Sequence, residues 1–199
     1  MKRRLLAISL IFTLLMACDK DDSDEIQINA KHYFPLEIGN SWEYEHCTRS
    51  VTGTKLVNGK EYFVVSEQTK GLDGQYTIYI KDLFFRTTNS KVYQLYDNKS
   101  DEFVLANFSL GEHEIWKYKS NDSNDQYWHV EVLPDFDLTI GNTSLKNCKA
   151  FLYDVPQWAD EEHTISFAPG FGQIKSSSTA WGLSNTLQKA KIKGIEYEF

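Results

Sequence analysis

Turn-forming dipeptides recur roughly every eight to twelve residues through most of this chain, a spacing that leaves room for short strands and little else. Asn58-Gly59 precedes Tyr62, Phe63, Val64 and Val65. The tightest hairpin turn needs positive φ at both central residues, which Asn and Gly tolerate. Asp73-Gly74 precedes Tyr76, Ile78 and Ile80, which share one phase. Asn89-Ser90 divides residues 83–87 from 92–96, and Asn98 to Asp101 divides that stretch from 103–108. Gly141-Asn142 separates 136–140 from 146–155. Trp42, Tyr44 and His46 alternate with Glu43, Glu45 and Cys47, as on a single strand, and Trp128, Val130 and Val132 alternate with His129 and Glu131. Near the end, Ala190 and Ile192 fall on one phase and Ile195, Tyr197 and Phe199 on the other. A bulge at Gly194 would bring both sets to one face.

The 11 Tyr, 12 Phe and 5 Trp suit a pleated, half-buried surface. No segment carries a helical stripe. The best candidate is residues 156–163, where Pro156 suits a first turn. The expected fold is therefore all-β: an antiparallel meander of about ten strands forming an open half-barrel or a sandwich, with at most one or two short helices.

The first residues belong to something else. Lys2, Arg3 and Arg4 are followed by an uncharged run from Leu5 to Met16, 12 residues long. That run falls short of the roughly 20 that a spanning helix requires, and it matches a signal-peptide core. It closes as Leu15-Met16-Ala17-Cys18, which resembles the lipobox of bacterial lipoproteins. The resemblance implies lipidation of the Cys18 thiol, cleavage before it, and membrane anchoring by several acyl chains, each buried CH₂ contributing about 0.8 kcal/mol. Next comes Asp19-Lys20-Asp21-Asp22-Ser23-Asp24-Glu25, too polar to fold alone. Lys20, Asp21 and Asp22 resemble the export signal that Bacteroidetes-type surface lipoproteins carry after the lipidated Cys. The chain thus divides into a signal peptide (1–17), an acidic tether (18–32) and one β-rich domain (33–199).

Three further stretches resemble a broad, uncharacterised group of secreted and lipid-anchored bacterial proteins common in Bacteroidetes. The run from Tyr33 to Tyr44 is similar to its opening, "YFPLxxGNxWxY". Lys91-Val92-Tyr93 with Leu105 to Glu112 resembles "KVYxxx…LLYDFSLxxGD", with Ala106-Asn107 and Glu112 in place of Tyr-Asp and Asp. Residues 167–175, Phe-Ala-Pro-Gly-Phe-Gly-Gln-Ile-Lys, look like "YFAPGVGLVK". The group has no agreed activity, and each motif has a structural account: Gly39-Asn40 turns Trp42 onto the core, and Pro169-Gly170 makes a turn over Phe171 and Ile174.

Chemistry-bearing patterns are scarce. The net charge is −7, and cleavage before Cys18 leaves 18 basic against 28 acidic side chains, or −10. Such a surface repels nucleic acid. The histidines, His32, His46, His113, His129 and His163, show no metal-ligand spacing, so no metal and no cofactor is expected. Gly170-x-Gly172 lacks the remainder of a phosphate loop. Outside the cytoplasm, Cys47 and Cys148 could close a disulfide loop of about a hundred residues, contributing on the order of 4–5 kcal/mol. Against this, Cys47 shares its phase with Glu43 and Glu45, pointing away from the core. Among the tryptophans, Trp158 in a polar segment and Trp181 before Gly182 are the candidates for an exposed ligand platform. The expected function is a non-enzymatic outer-membrane or surface lipoprotein, its partners being the membrane through the anchor and an apolar ligand, a glycan or an envelope protein. The periplasmic face is the alternative address, and a glycan-acting hydrolase with a carboxylate pair the alternative function.

Overall fold

The computed structural model describes residues 29–69, 79–96, 101–119, 126–156 and 158–199. The signal peptide, Cys18, Lys20, Asp21, Asp22, the Asp73-Gly74 turn and the polar run 120–125 lie outside these residues.

Among these residues, fourteen strands follow one short helix, α1 (Ala30–Tyr33). The first meander comprises β1 (Ser41–Tyr44), β2 (Cys47–Val57), β3 (Lys60–Thr69), β4 (Tyr79–Thr87), β5 (Lys91–Leu95) and β6 (Glu102–Asn107). The second comprises β7 (Ile115–Lys119), β8 (Tyr127–Val132), β9 (Phe136–Ile140), β10 (Thr143–Asp154), β11 (His163–Ala168), β12 (Gly172–Ser178), β13 (Leu183–Ile192) and β14 (Ile195–Glu198). All pairings are antiparallel. The order is β6-β5-β4-β3-β2-β1-β13-β12-β11-β10-β8-β7, with β14 on β13 and β9 on β10. Pairing of β1 with β13 joins the two meanders, Trp42 standing opposite Ala190. The result is the barrel of the sequence expectation, nearly closed, rather than a sandwich.

Among the described residues, no ladder joins the terminal strands β6 and β7. Side chains do that work. The Trp116 indole donates to the Val104 carbonyl at 3.1 Å, the Tyr153 hydroxyl to the Leu105 carbonyl and the Tyr96 hydroxyl to the Lys119 carbonyl. Phe103 stacks on Tyr118 across the seam at 4.7 Å. Edge carbonyls that would otherwise need a strand are thereby satisfied.

One end of the barrel is plugged. In α1, Ala30 donates to the Asn89 carbonyl at 2.8 Å, and Gly170 donates to the His32 carbonyl at 2.7 Å, fixing the helix across two turns. Tyr33 stacks on Phe108 at 4.6 Å, and Phe34 meets Phe85 and Phe167 edge-on at 5.2 and 5.9 Å. Aromatic edges against faces, all buried, pack this end of the core.

Several expectations need correction. The domain begins before residue 33, because Ala30 is fully buried. Residues 156–163 form no helix where they are described; α1, only four residues long, has too few positions to show a period. His46 does not continue the strand of Trp42 and Tyr44: the chain turns at Glu45-His46, which resets the phase and buries Cys47. Gly194 is no bulge. Lys193 and Gly194 take φ of 52° and 81° and form a hairpin between β13 and β14, as Asn58 and Gly59 do (50° and 74°) between β2 and β3. The Cys47–Cys148 disulfide is absent; both thiols are free and buried. Four strands, β1, β13, β12 and β11, intervene between β2 and β10, which carry them. Cys47 instead accepts from the Asn185 amide at 3.3 Å.

On the outer face, Glu102 is the most heavily satisfied carboxylate. Arg86 donates at 2.7 Å through Nε and pairs at 2.5 Å through its second guanidinium nitrogen, Lys60 donates at 2.6 Å, and the Tyr62 hydroxyl also donates. Burial pulls its pKa up, but these three partners outweigh it and hold the carboxyl at about 2. A pKa lowered on folding stabilises above the ordinary value of 4.5, and that stabilisation drains away as pH falls towards 2. Acid melting should therefore steepen across this window. Glu102→Gln should cost about 2 kcal/mol at neutral pH and flatten the decline; an equally steep decline in the variant would exclude Glu102 as its source. Denaturation without reductant should expose two thiols to iodoacetamide, at Cys47 and Cys148, and a peptide linking them would contradict this structure.

Candidate ligand site at the open rim

Among the described residues, nothing plugs the end opposite α1. That end is where β2, β4, β8, β11 and β13 begin and β3, β7, β10 and β12 finish, by their pairing registers. Ten large hydrophobic side chains are exposed among the described residues, and six of them lie here: Tyr79, Ile80, Tyr127, Trp158, Trp181 and Leu183. Trp181, 67% exposed, occupies the β12–β13 turn, and Trp158, 44% exposed, the β10–β11 connection. The two segments are tied together. The Trp181 indole donates to the Asp160 carbonyl at 3.1 Å, and the Ser178 hydroxyl to the Glu162 carbonyl at 3.2 Å. Both rings thus show open faces while the loops that carry them are held.

Beside them a cleft of about 330 Å³ is lined by His46, Thr69, His163, Ser176, Ser177, Ser178, Leu183 and Asn185. His163 is held firmly in its wall. Its ring stacks on Tyr153 at 4.8 Å and meets Trp128 edge-on at 5.3 Å, and Nδ1 lies 3.1 Å from the Glu161 carbonyl. Burial lowers the imidazole pKa and favours the neutral ring.

Below the rim the inner wall of β2 and β3 is polar. Arg49 Nε donates to Glu67 Oε2 at 2.6 Å and its guanidinium also donates to the Gln173 side chain at 2.8 Å. Lys81 approaches the second Glu67 oxygen at 3.1 Å, and the Tyr44 hydroxyl donates to the Gln173 carbonyl at 2.8 Å. Burial would raise the Glu67 carboxyl, but Arg49 and Lys81 outweigh it and hold it below its usual range. Deeper still, Leu187, Ile174, Phe151 and Phe167 are fully buried.

Among the described residues, the two most deeply set carboxylates do not converge. Glu67 faces inward on β3, whereas Tyr62, five positions earlier on that strand, faces outward and carries Glu102. Glu67, Glu102 and Asp137 are each shifted downward by cationic partners, opposite to what a general acid needs. Among the described residues no group of three His, Cys, Asp or Glu could hold a metal. A second hollow, of about 420 Å³, lies on the outer face of β1, β2, β3, β13 and β14. Its charges answer one another, with Lys189–Glu198 at 3.1 Å and Lys191–Glu196 at 3.9 Å.

Trp158 and Trp181 are therefore brought to one rim, and Cys47 and Cys148 are kept apart. Sequence reasoning missed His163 and the Arg49–Glu67–Lys81 group. A signal for the latter existed: Arg49 shares the phase of Val51, and Glu67 that of Val65, so charges sit on the apolar phase of two strands.

No family model and no curated protein matches the sequence. Two solved structures resemble the fold. One, from Bacteroides fragilis, is described as an exported protein with a YmcC-like fold. It has a TM-score of 0.51 at 11% identity, over 80% of this chain and 99% of that one. The other, from Parabacteroides distasonis, is described as a lipoprotein, with a TM-score of 0.49 at 10% identity, over 82% of this chain and 99% of that one. The first likeness shows that this chain adopts the YmcC-like, antiparallel and nearly closed β-barrel fold.

Proposed function

We propose that this chain is a lipid-anchored envelope protein, non-enzymatic, exposed at the cell surface, that binds a ligand at its open rim. The observation that carries this reading is polarity along the barrel axis. The chain enters the domain at the plugged end, through Asn29 and α1, while the exposed aromatic side chains crowd the other. Eleven residues from Cys18 to Asn29 reach at most about 37 Å when extended. An anchor at Cys18 would thus tether the plugged end and leave the rim clear of the bilayer. Exposed aromatic rings cost solvation in an isolated protein, and their clustering at one place marks a contact surface.

Binding is favoured over hydrolysis because the two most deeply set carboxylates are neutralised by cations and lie on opposite faces of the sheet. The Lys20-Asp21-Asp22 sequence supports the outward address, and the three motifs support an envelope setting.

Leu183→Cys provides a test at the rim, since Cys47 and Cys148 are buried. A membrane-impermeant maleimide should label that variant on intact cells. Replacing Lys20, Asp21 and Asp22 with Ala should abolish labelling while the protein still sediments with membranes, and Cys18→Ser should release it from them. Labelling only after the outer membrane is breached would place the rim in the periplasm, and sedimentation unchanged in Cys18→Ser would refute the anchor.

A further inference from the structure

What lies under the rim discriminates among ligand classes. An acyl chain needs a dry hollow. A tail passing below the rim would meet Arg49, Glu67, Lys81 and Gln173, whose polar groups would lose water and gain nothing in return. Beyond them Tyr44, Leu187 and Ile174 are buried. The hollow at this rim is a cleft of about 330 Å³, the size of a small-molecule site rather than of a protein–protein face, and of the six exposed rim side chains Leu183 is the one that lines it. An anionic ligand would face Asp154, Asp160, Glu161 and Glu162, all on or next to the β10–β11 connection.

The remaining chemistry is specific. Sugars present apolar C–H faces, which pack on aromatic rings, and a rim of hydroxyls that need hydrogen-bonding partners. Trp181 and Trp158 supply ring faces on loops already held by the Trp181–Asp160 bond, so little freedom is lost on binding. The adjoining cleft supplies the hydroxyls of Thr69, Ser176 and Ser177 and the neutral ring of His163.

We propose that the open rim is a binding site for a neutral carbohydrate chain, with Trp181 and Trp158 stacking on sugar faces and the serine-rich end of β12 receiving the hydroxyls. This rests on the rim being the ligand site. The same chemistry gives a reason for the polar wall below: a hydroxylated ligand and its waters can lie over Arg49 and Glu67 without stripping them.

The test uses the full-length, lipidated protein in polyoxyethylene-detergent micelles, which contain no sugar. Dextran, α-mannan and mixed-linkage β-glucan serve as neutral probes, polygalacturonate as an anionic one and a dansylated fatty acid as an apolar one. At least one neutral polysaccharide should bind saturably. Trp181→Ala and Trp158→Ala should each weaken it at least tenfold with melting unchanged, and Trp181→Phe should recover part of the loss. Binding of the fatty acid or polygalacturonate alone, weakened by the same substitutions, would overturn the carbohydrate class and leave the rim as a ligand site. Neutral-glycan binding indifferent to both tryptophans would overturn the location. Binding of none of the probes by the folded protein would overturn the carbohydrate assignment and count against the rim as well.

Discussion

Everything in this barrel hangs on four residues, Ser41 to Tyr44. The strand they form is flanked by β2 on one side and β13 on the other, and without that second pairing the two meanders would be separate curved sheets with exposed edges. The register is fixed by buried anchors. The Trp42 indole donates to the Phe171 carbonyl at 2.6 Å, and Tyr44 reaches the Gln173 carbonyl on β12. Just upstream, the buried Asn40 amide donates to the Pro35 carbonyl at 2.7 Å and accepts from the Lys193 amide at 2.8 Å. One side chain thereby pins the plug, the first strand and the β13–β14 hairpin together. A buried amide is tolerable because its partners are in place.

That arrangement sets up the asymmetry of the molecule. With α1 and its aromatic partners filling one end, the apolar material of the barrel is spent there. The other end is left with ions inside and rings outside. Conventional burial would reverse the two. The inversion makes physical sense if the ionic wall keeps water or a hydroxylated ligand above it and the outer rings wait for something with an apolar face.

Local chemistry was legible in the sequence, long-range pairing was not. Asn58-Gly59, Gly141-Asn142 and Pro169-Gly170 could be read because a turn's φ requirement is satisfied by the residues themselves. Trp42 and Val130 could be read as core from their phase, and Ile174 from the turn before it. The Glu45-His46 turn carries no such dipeptide, so in the sequence the alternation runs on through it and puts Cys47 on the wrong face. At Lys193-Gly194 a two-residue hairpin and a bulge leave the same mark on alternation. The distance between Cys47 and Cys148 depends on β1 pairing β13 across almost the whole chain, which no local pattern encodes. Of the rim, Trp158 and Trp181 could be found singly from their polar neighbours, but that they share a place with Tyr79, Tyr127 and His163 is a property of the closed barrel.

The most direct test of a ligand meeting the aromatic rim is the set of five tryptophan indole N–H resonances of the full-length protein in micelles. Titration with a polysaccharide that the protein retains should move the Trp181 and Trp158 signals and leave those of Trp42 and Trp116 still, since the latter are bonded to carbonyls away from the open end. Movement of Trp42 and Trp116 with Trp181 and Trp158 unchanged would contradict the account.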